Sequence, residues 1–139
     1  MNKAISIIFV FISMFILQAC NDDKGNDFIG EWAQVKNVQY PSYILIRKDD
    51  GVFFVDVKRF DFSKAEKKHS EDTIEYMTGK SKKLPSDDVA ANCGNDCYRV
   101  TKLEAVAASK SVLKGDAISL RLENGVLYFD SDAYKLVKR

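Results

Sequence analysis

The stretch from Ile118 to Arg139 constrains the fold more tightly than any other part of the chain. Ile118, Leu120 and Leu122 alternate with Ser119, Arg121 and Glu123, the period of two that sets apolar groups on one face of a strand. Asn124-Gly125 follows, a pair suited to the positive φ angles of a two-residue type I′ hairpin. Val126 to Asp130 then returns, Ser131-Asp132 turns again, and Tyr134 to Val137 closes the run. The pattern predicts a β-meander.

The same grammar recurs upstream. Gly30 to Val38 mixes apolar and polar residues, Pro41 breaks the chain, and Ser42 to Lys48 is dense in β-formers. Asp49-Asp50-Gly51 reads as a hairpin turn into a strand from Val52 to Phe62. Val55 and Val57 there differ in parity from Phe60 and Phe62, which predicts a β-bulge near Lys58-Arg59. Ser63 to Glu71 reads as a charged loop or a strand's exposed end. Thr73 to Met77 reads as a short strand stopped by Gly79, and Lys80 to Leu84 as a connector ended by Pro85. Ser86-Asp87-Asp88 suits a helix cap ahead of Cys93. Tyr98 to Leu113 reads two ways. Leu103, Val106, Ala107 and Leu113 recur at helical spacing, whereas Tyr98, Val100 and Thr101 favour a strand. Six to eight short antiparallel strands with one or two short helices predict a mainly β fold, a small meander or barrel.

The N-terminus carries a different signal. Lys3 precedes an apolar run from Ala4 to Leu17, which is shorter than the ~20 residues of a spanning helix. The run ends in Leu17-Gln18-Ala19-Cys20, which resembles the bacterial lipobox; Leu17 and Ala19 match it, and Gln18 is bulkier than the usual residue. The resemblance implies a signal peptide over residues 1–19, cleavage before Cys20, and acyl chains on Cys20 that anchor the protein to a membrane. Each buried methylene contributes roughly 0.8 kcal/mol, so two or three chains hold firmly. Residues 20–27, polar and containing Gly25, then read as a lipidated tether, and residues 28–139 as one β-rich periplasmic domain. Asn21 and Asp22 behind the lipidated position lean towards the outer membrane rather than the inner.

Cys93 and Cys97 flank Gly94-Asn95-Asp96. A tight loop there brings the sulfurs within bonding distance, and an oxidising compartment preserves the bond. The three-residue spacing suits neither a redox pair nor, with His69 the only histidine, a zinc site. Loss of the leader removes Lys3 from 21 basic residues and leaves 20 against 20 acidic ones. A neutral domain gives no electrostatic reason to expect nucleic acid as a partner.

Gly30-Glu31-Trp32 at the start of the first strand resembles the Gly-x-Trp opening of lipocalin-like barrels. Carried over, Trp32 closes the barrel base beside Gly30, with Lys138 or Arg139 stacked on it as a cation. The chain is shorter than a full lipocalin and lacks its long final helix.

Catalytic chemistry finds no foothold. No nucleophile elbow or phosphate-cradling loop occurs, Asp49-Asp50 and Asp87-Asp88 sit where turns want them, and His69 lies in a charged cluster. Neither an enzyme, a cofactor nor a metal is expected. Lys64, Lys67 and Lys68 on one side, and Lys80, Lys82 and Lys83 on the other, flank the expected 73–77 strand as a contact surface for anionic headgroups or an acidic partner. Two functions remain. One is a membrane-anchored periplasmic protein that docks a protein partner as inhibitor, immunity factor or envelope accessory. The alternative is a carrier of a small apolar ligand inside the barrel, lined by Ile44, Ile46, Val55, Val57, Ile118, Leu120 and Leu122.

Overall fold

A computed structural model describes residues 23–139; Cys20 and the expected signal peptide lie outside the described residues. Eight strands run β1 (Gly30–Gln34), β2 (Tyr43–Asp49), β3 (Val52–Phe60), β4 (Tyr98–Ser109), β5 (Val112–Gly115), β6 (Ile118–Glu123), β7 (Val126–Phe129) and β8 (Asp132–Lys138). Each pairs antiparallel with its sequence neighbours, and β8 returns to β1, closing an up-and-down barrel. Closure removes the free sheet edges that an open meander would expose.

The predicted meander is β6, β7 and β8. Asn124 and Gly125 take φ of 51° and 76°, and Asp50 and Gly51 take 45° and 79°, so both tight turns have the primed geometry that matches strand twist. Alternate residues point inward: Ile44 and Ile46 on β2, Phe53, Val55 and Val57 on β3, and Ile118 and Leu120 on β6 are buried.

Three expectations are corrected. No bulge occurs at Lys58-Arg59, because β3 holds one register with β2 through Lys58 and with β4 through Phe60. Phe60 instead faces outward and stacks on Tyr40, ring centroids 4.2 Å apart. The inward parity at the strand's end falls to Arg59, which lies 5.1 Å from the Phe129 ring and pairs with Asp130 at 2.7 Å. Second, of the two readings of Tyr98 to Leu113 the extended one holds and the helical one is set aside: Tyr98 to Ser109 is one long strand. Ala107, one of the residues at helical spacing, faces inward and makes room for Gly25, whose added Cβ would sit 3.3 Å from that of Ala107. Third, Phe62–Met77 is a helix, α1, neither loop nor strand.

The fold also begins earlier than residue 28. Asn26–Phe28 forms a 3₁₀ turn, Gly25 is buried, and Phe28 is wholly buried in the barrel core. The indole Nε1 of Trp32 donates to the Phe28 carbonyl at 2.8 Å. This short segment plugs the barrel end that carries the 49–52, 109–112 and 123–126 turns.

Tyr134 is fully buried on β8, and among the described residues its hydroxyl has no hydrogen-bond partner. Burial raises its pKa above the ordinary value, while Ser42 and Arg59 pull the other way without reaching hydrogen-bond geometry. An unpartnered buried hydroxyl costs about 1–3 kcal/mol, so Tyr134→Phe is expected to raise stability by about 1 kcal/mol at neutral pH. The pH dependence follows from the raised pKa. The folded state favours the neutral phenol, so that contribution is complete below pH ~10 and is lost as pH rises through the raised folded pKa. Urea unfolding of both proteins at neutral and alkaline pH should show the advantage of Tyr134→Phe widening above pH ~10. A constant difference would contradict it.

Candidate functional site

The long connection from β3 to β4, residues 61–97, projects from the barrel end opposite the plug. Asp61 caps α1 by accepting from the Lys64 amide at 3.2 Å. Spacing of four residues then pairs Lys67 with Glu71 at 4.0 Å and Lys68 with Asp72 at 2.6 Å, the neighbour geometry of a helix surface. The hydrogen bond to Asp72 raises the pKa of Lys68.

Within α1 only Ala65 is buried, so the helix is exposed or partly exposed on almost every side. It packs on Cys93 and Cys97, with Phe60 and Val89 at the edge of this second small core. Cys93 and Cys97 form a disulfide, their Cα atoms 5.4 Å apart, and the 3₁₀ turn Gly94–Cys97 joins them. The Asp61 amide donates to the Cys97 carbonyl at 2.8 Å, and Lys64 Nζ donates to the Asp96 carbonyl. The expected helix after Ser86 is absent; Asp88 instead closes a turn by accepting from the Ala90 amide at 3.1 Å. His69 sits against the connector, with Asn92 Nδ2 3.0 Å from its Nδ1.

An aromatic group seams this projection to the barrel wall. Phe60 meets Phe62 and Tyr98 edge-on at 4.9 and 5.4 Å. Tyr40 hydrogen-bonds Asp88 at 3.2 Å, and loss of solvent followed by the Asp88 charge raises its hydroxyl pKa. Burial likewise raises that of Tyr98, over whose ring Lys58 Nζ sits 4.9 Å from the centroid.

The seam holds the start of α1 and leaves its far half free of cover. Ile74 is 60% exposed, Met77 79% and, past the helix, Leu84 67%. Ile74 and Met77 share a face at i, i+3 spacing. Lys80, Lys82 and Lys83 follow in the connector, and among the described residues none of the three makes a salt bridge. The two lysine groups thus do not flank a strand; both belong to one projection. Lys68 and Lys83 line one polar groove of about 200 Å³ with Ser81 and Asn92. At the plugged end, Gly30 lies under the β8 terminus, where an added Cβ would sit 2.7 Å from the Lys138 carbonyl. Arg139 does not stack on Trp32; its guanidinium lies 3.9 Å from Asp27, both side chains well exposed.

Among the described residues no cluster of three or more His, Cys, Asp or Glu side chains is placed to hold a metal ion, and no helix is long and apolar enough to cross a membrane. Sequence reasoning missed the exposed tip because Thr73, Ile74 and Tyr76 look like strand residues. The signal that would have found it is the 67/71 and 68/72 charge spacing behind the Asp61 cap. No protein-family model matches the chain, and no curated protein or solved structure matches it.

Proposed function

We propose that this protein is a lipid-anchored periplasmic docking protein, held by acylated Cys20, whose 61–97 projection engages a protein partner as inhibitor, immunity factor or envelope accessory. One observation carries the reading: a helix secured to the barrel only at its start offers Ile74 and Met77 to solvent, and the connector that follows it in the same projection carries exposed Leu84 and three salt-bridge-free lysines. Apolar anchors and basic side chains on one projection suit a partner that offers an apolar cleft and acidic groups nearby. The carrier alternative has less support, because Trp32, Phe28, Phe53, Tyr134 and the inward aliphatics occupy the barrel interior. A small barrel is commonly filled in this way by its own side chains.

Photocrosslinking in the native host tests the proposal. A benzophenone amino acid in place of Met77 is expected to yield a discrete protein adduct that the same probe at Lys102, on the barrel wall, does not. Ile74→Asp places a charge in the apolar contact and should weaken binding to that partner at least about tenfold. Absence of a discrete adduct at position 77 would overturn the reading. So would stoichiometric extraction of an apolar compound from the purified barrel, which would restore the carrier.

A further inference from the structure

We infer that the barrel stands end-on at its membrane, the plugged end resting on the lipid headgroups and the 61–97 projection pointing away from them. The inference rests on the proposed acylation of Cys20 and adds the orientation that this anchor imposes.

The chain is fixed to the barrel almost as soon as it leaves Cys20. Gly25 lies over the barrel mouth, and an added Cβ there would meet Phe53 Cζ at 2.8 Å and Leu113 Cδ2 at 3.1 Å. Asn26 accepts from Lys48 Nζ at 2.9 Å and donates to the Asp23 side chain at 3.2 Å. Only three Cα–Cα steps separate Cys20 from Asp23, which span at most about 11 Å. The headgroup layer on each side of a bilayer is itself roughly 6 Å deep. A leash this short leaves the mouth within contact distance of the headgroups. Because Gly25 packs on the inward-facing side chains of Phe53, Ala107 and Leu113, the leash springs from within the mouth and not from the outer wall, so the plugged end is the one drawn to the membrane.

Topology then decides what faces where. The 49–52, 109–112 and 123–126 turns surround the plug, together with Lys138 and Arg139. Charges at this end are mixed: Lys48, Lys110 and Arg139 lie among Asp27, Asp49 and Glu123. Contact therefore follows from the leash and does not require an anionic surface. The nine residues of β3 run about 30 Å along the strand. With the usual barrel tilt this separates the two ends by roughly 20 Å, more than two Debye lengths of about 8 Å each. Lys80, Lys82 and Lys83 are accordingly out of electrostatic reach of the anchoring membrane, and they serve a partner on its far side.

The test uses protein purified from bacterial membranes, with the lipid on Cys20 verified by the mass of its N-terminal peptide. A fluorophore is placed at Lys110→Cys or Lys82→Cys, and the protein is reconstituted in phosphatidylcholine vesicles carrying headgroup-nitroxide quencher lipid. Quenching several-fold stronger at position 110 than at 82, and insensitive to salt, is expected. Inserting a flexible linker of about ten Gly and Ser residues before Asp23 should erase most of that difference. Equal quenching at the two sites, or stronger quenching at 82, in acylated protein overturns the orientation while leaving the anchor intact. A bare Cys20 overturns the anchor, and the orientation falls with it.

Discussion

Trp32→Ala is expected to lower the unfolding free energy by about 3–5 kcal/mol, a large share of the 5–15 kcal/mol that holds a typical domain together. The side chain is 2% exposed in the barrel core, so its removal leaves a cavity and takes away an indole donor. That donor satisfies the Phe28 carbonyl at 2.8 Å, and with it gone the plug loses both a packing partner and a hydrogen bond. Trp32→Phe separates the two effects. It keeps most of the apolar contact and orphans the carbonyl alone, at a cost of about 1–3 kcal/mol. Arg139→Ala, by contrast, should leave the unfolding midpoint unchanged, since an exposed pair at 3.9 Å with Asp27 contributes little. Urea unfolding followed by far-UV circular dichroism reads all three. A wild-type midpoint for Trp32→Ala would remove Trp32 from the base of the barrel.

The contrast between Trp32 and Arg139 marks where the sequence is legible. Strands whose inward and outward residues differ in polarity announce themselves, and β2, β6, β7 and β8 were readable together with the turns at Gly51 and Gly125. Trp32 was readable as a large core residue at a strand start. Its hydrogen-bond partner was not, because Phe28 directly follows the polar stretch 20–27 and no strand or helix period ties it to Trp32. Ala107 pointed to a helix for a related reason: a small residue raises helix propensity, yet here it answers a space requirement set by Gly25, some eighty positions away in the chain. The exposed tip was hidden by α1 itself. A helix that buries a single alanine has no 3.6-residue apolar period to detect, so β-formers such as Thr73 and Ile74 dominated the local reading. The six lysines of the candidate surface were visible as residues, and only the helix shows that they share one projection.

Gly115 gives the sharpest case of information carried by close approach alone. An added Cβ there would fall 2.0 Å from the Glu104 carbonyl oxygen on β4 and 3.1 Å from the Ile118 side chain. Its φ is not in the left-handed region, so backbone freedom does not explain the glycine; lack of space does. The obstructing atom belongs to the main chain and has no rotamer to escape into, so the β4–β5 seam must open for alanine to fit. Gly115→Ala is expected to cost about 3 kcal/mol, at the upper end for overpacking, and to lower the urea midpoint by about 1–2 M. Gly79, at the end of α1, supplies the comparison. Its φ is +73° with nothing within 4 Å of an added Cβ, so Gly79→Ala meets only the left-handed penalty of roughly 1–2 kcal/mol. That strain is also local to the projection, and it should leave the barrel's unfolding transition close to wild type. If the two variants shift the barrel midpoint equally, close packing between β4 and β5 is not what keeps a glycine at 115.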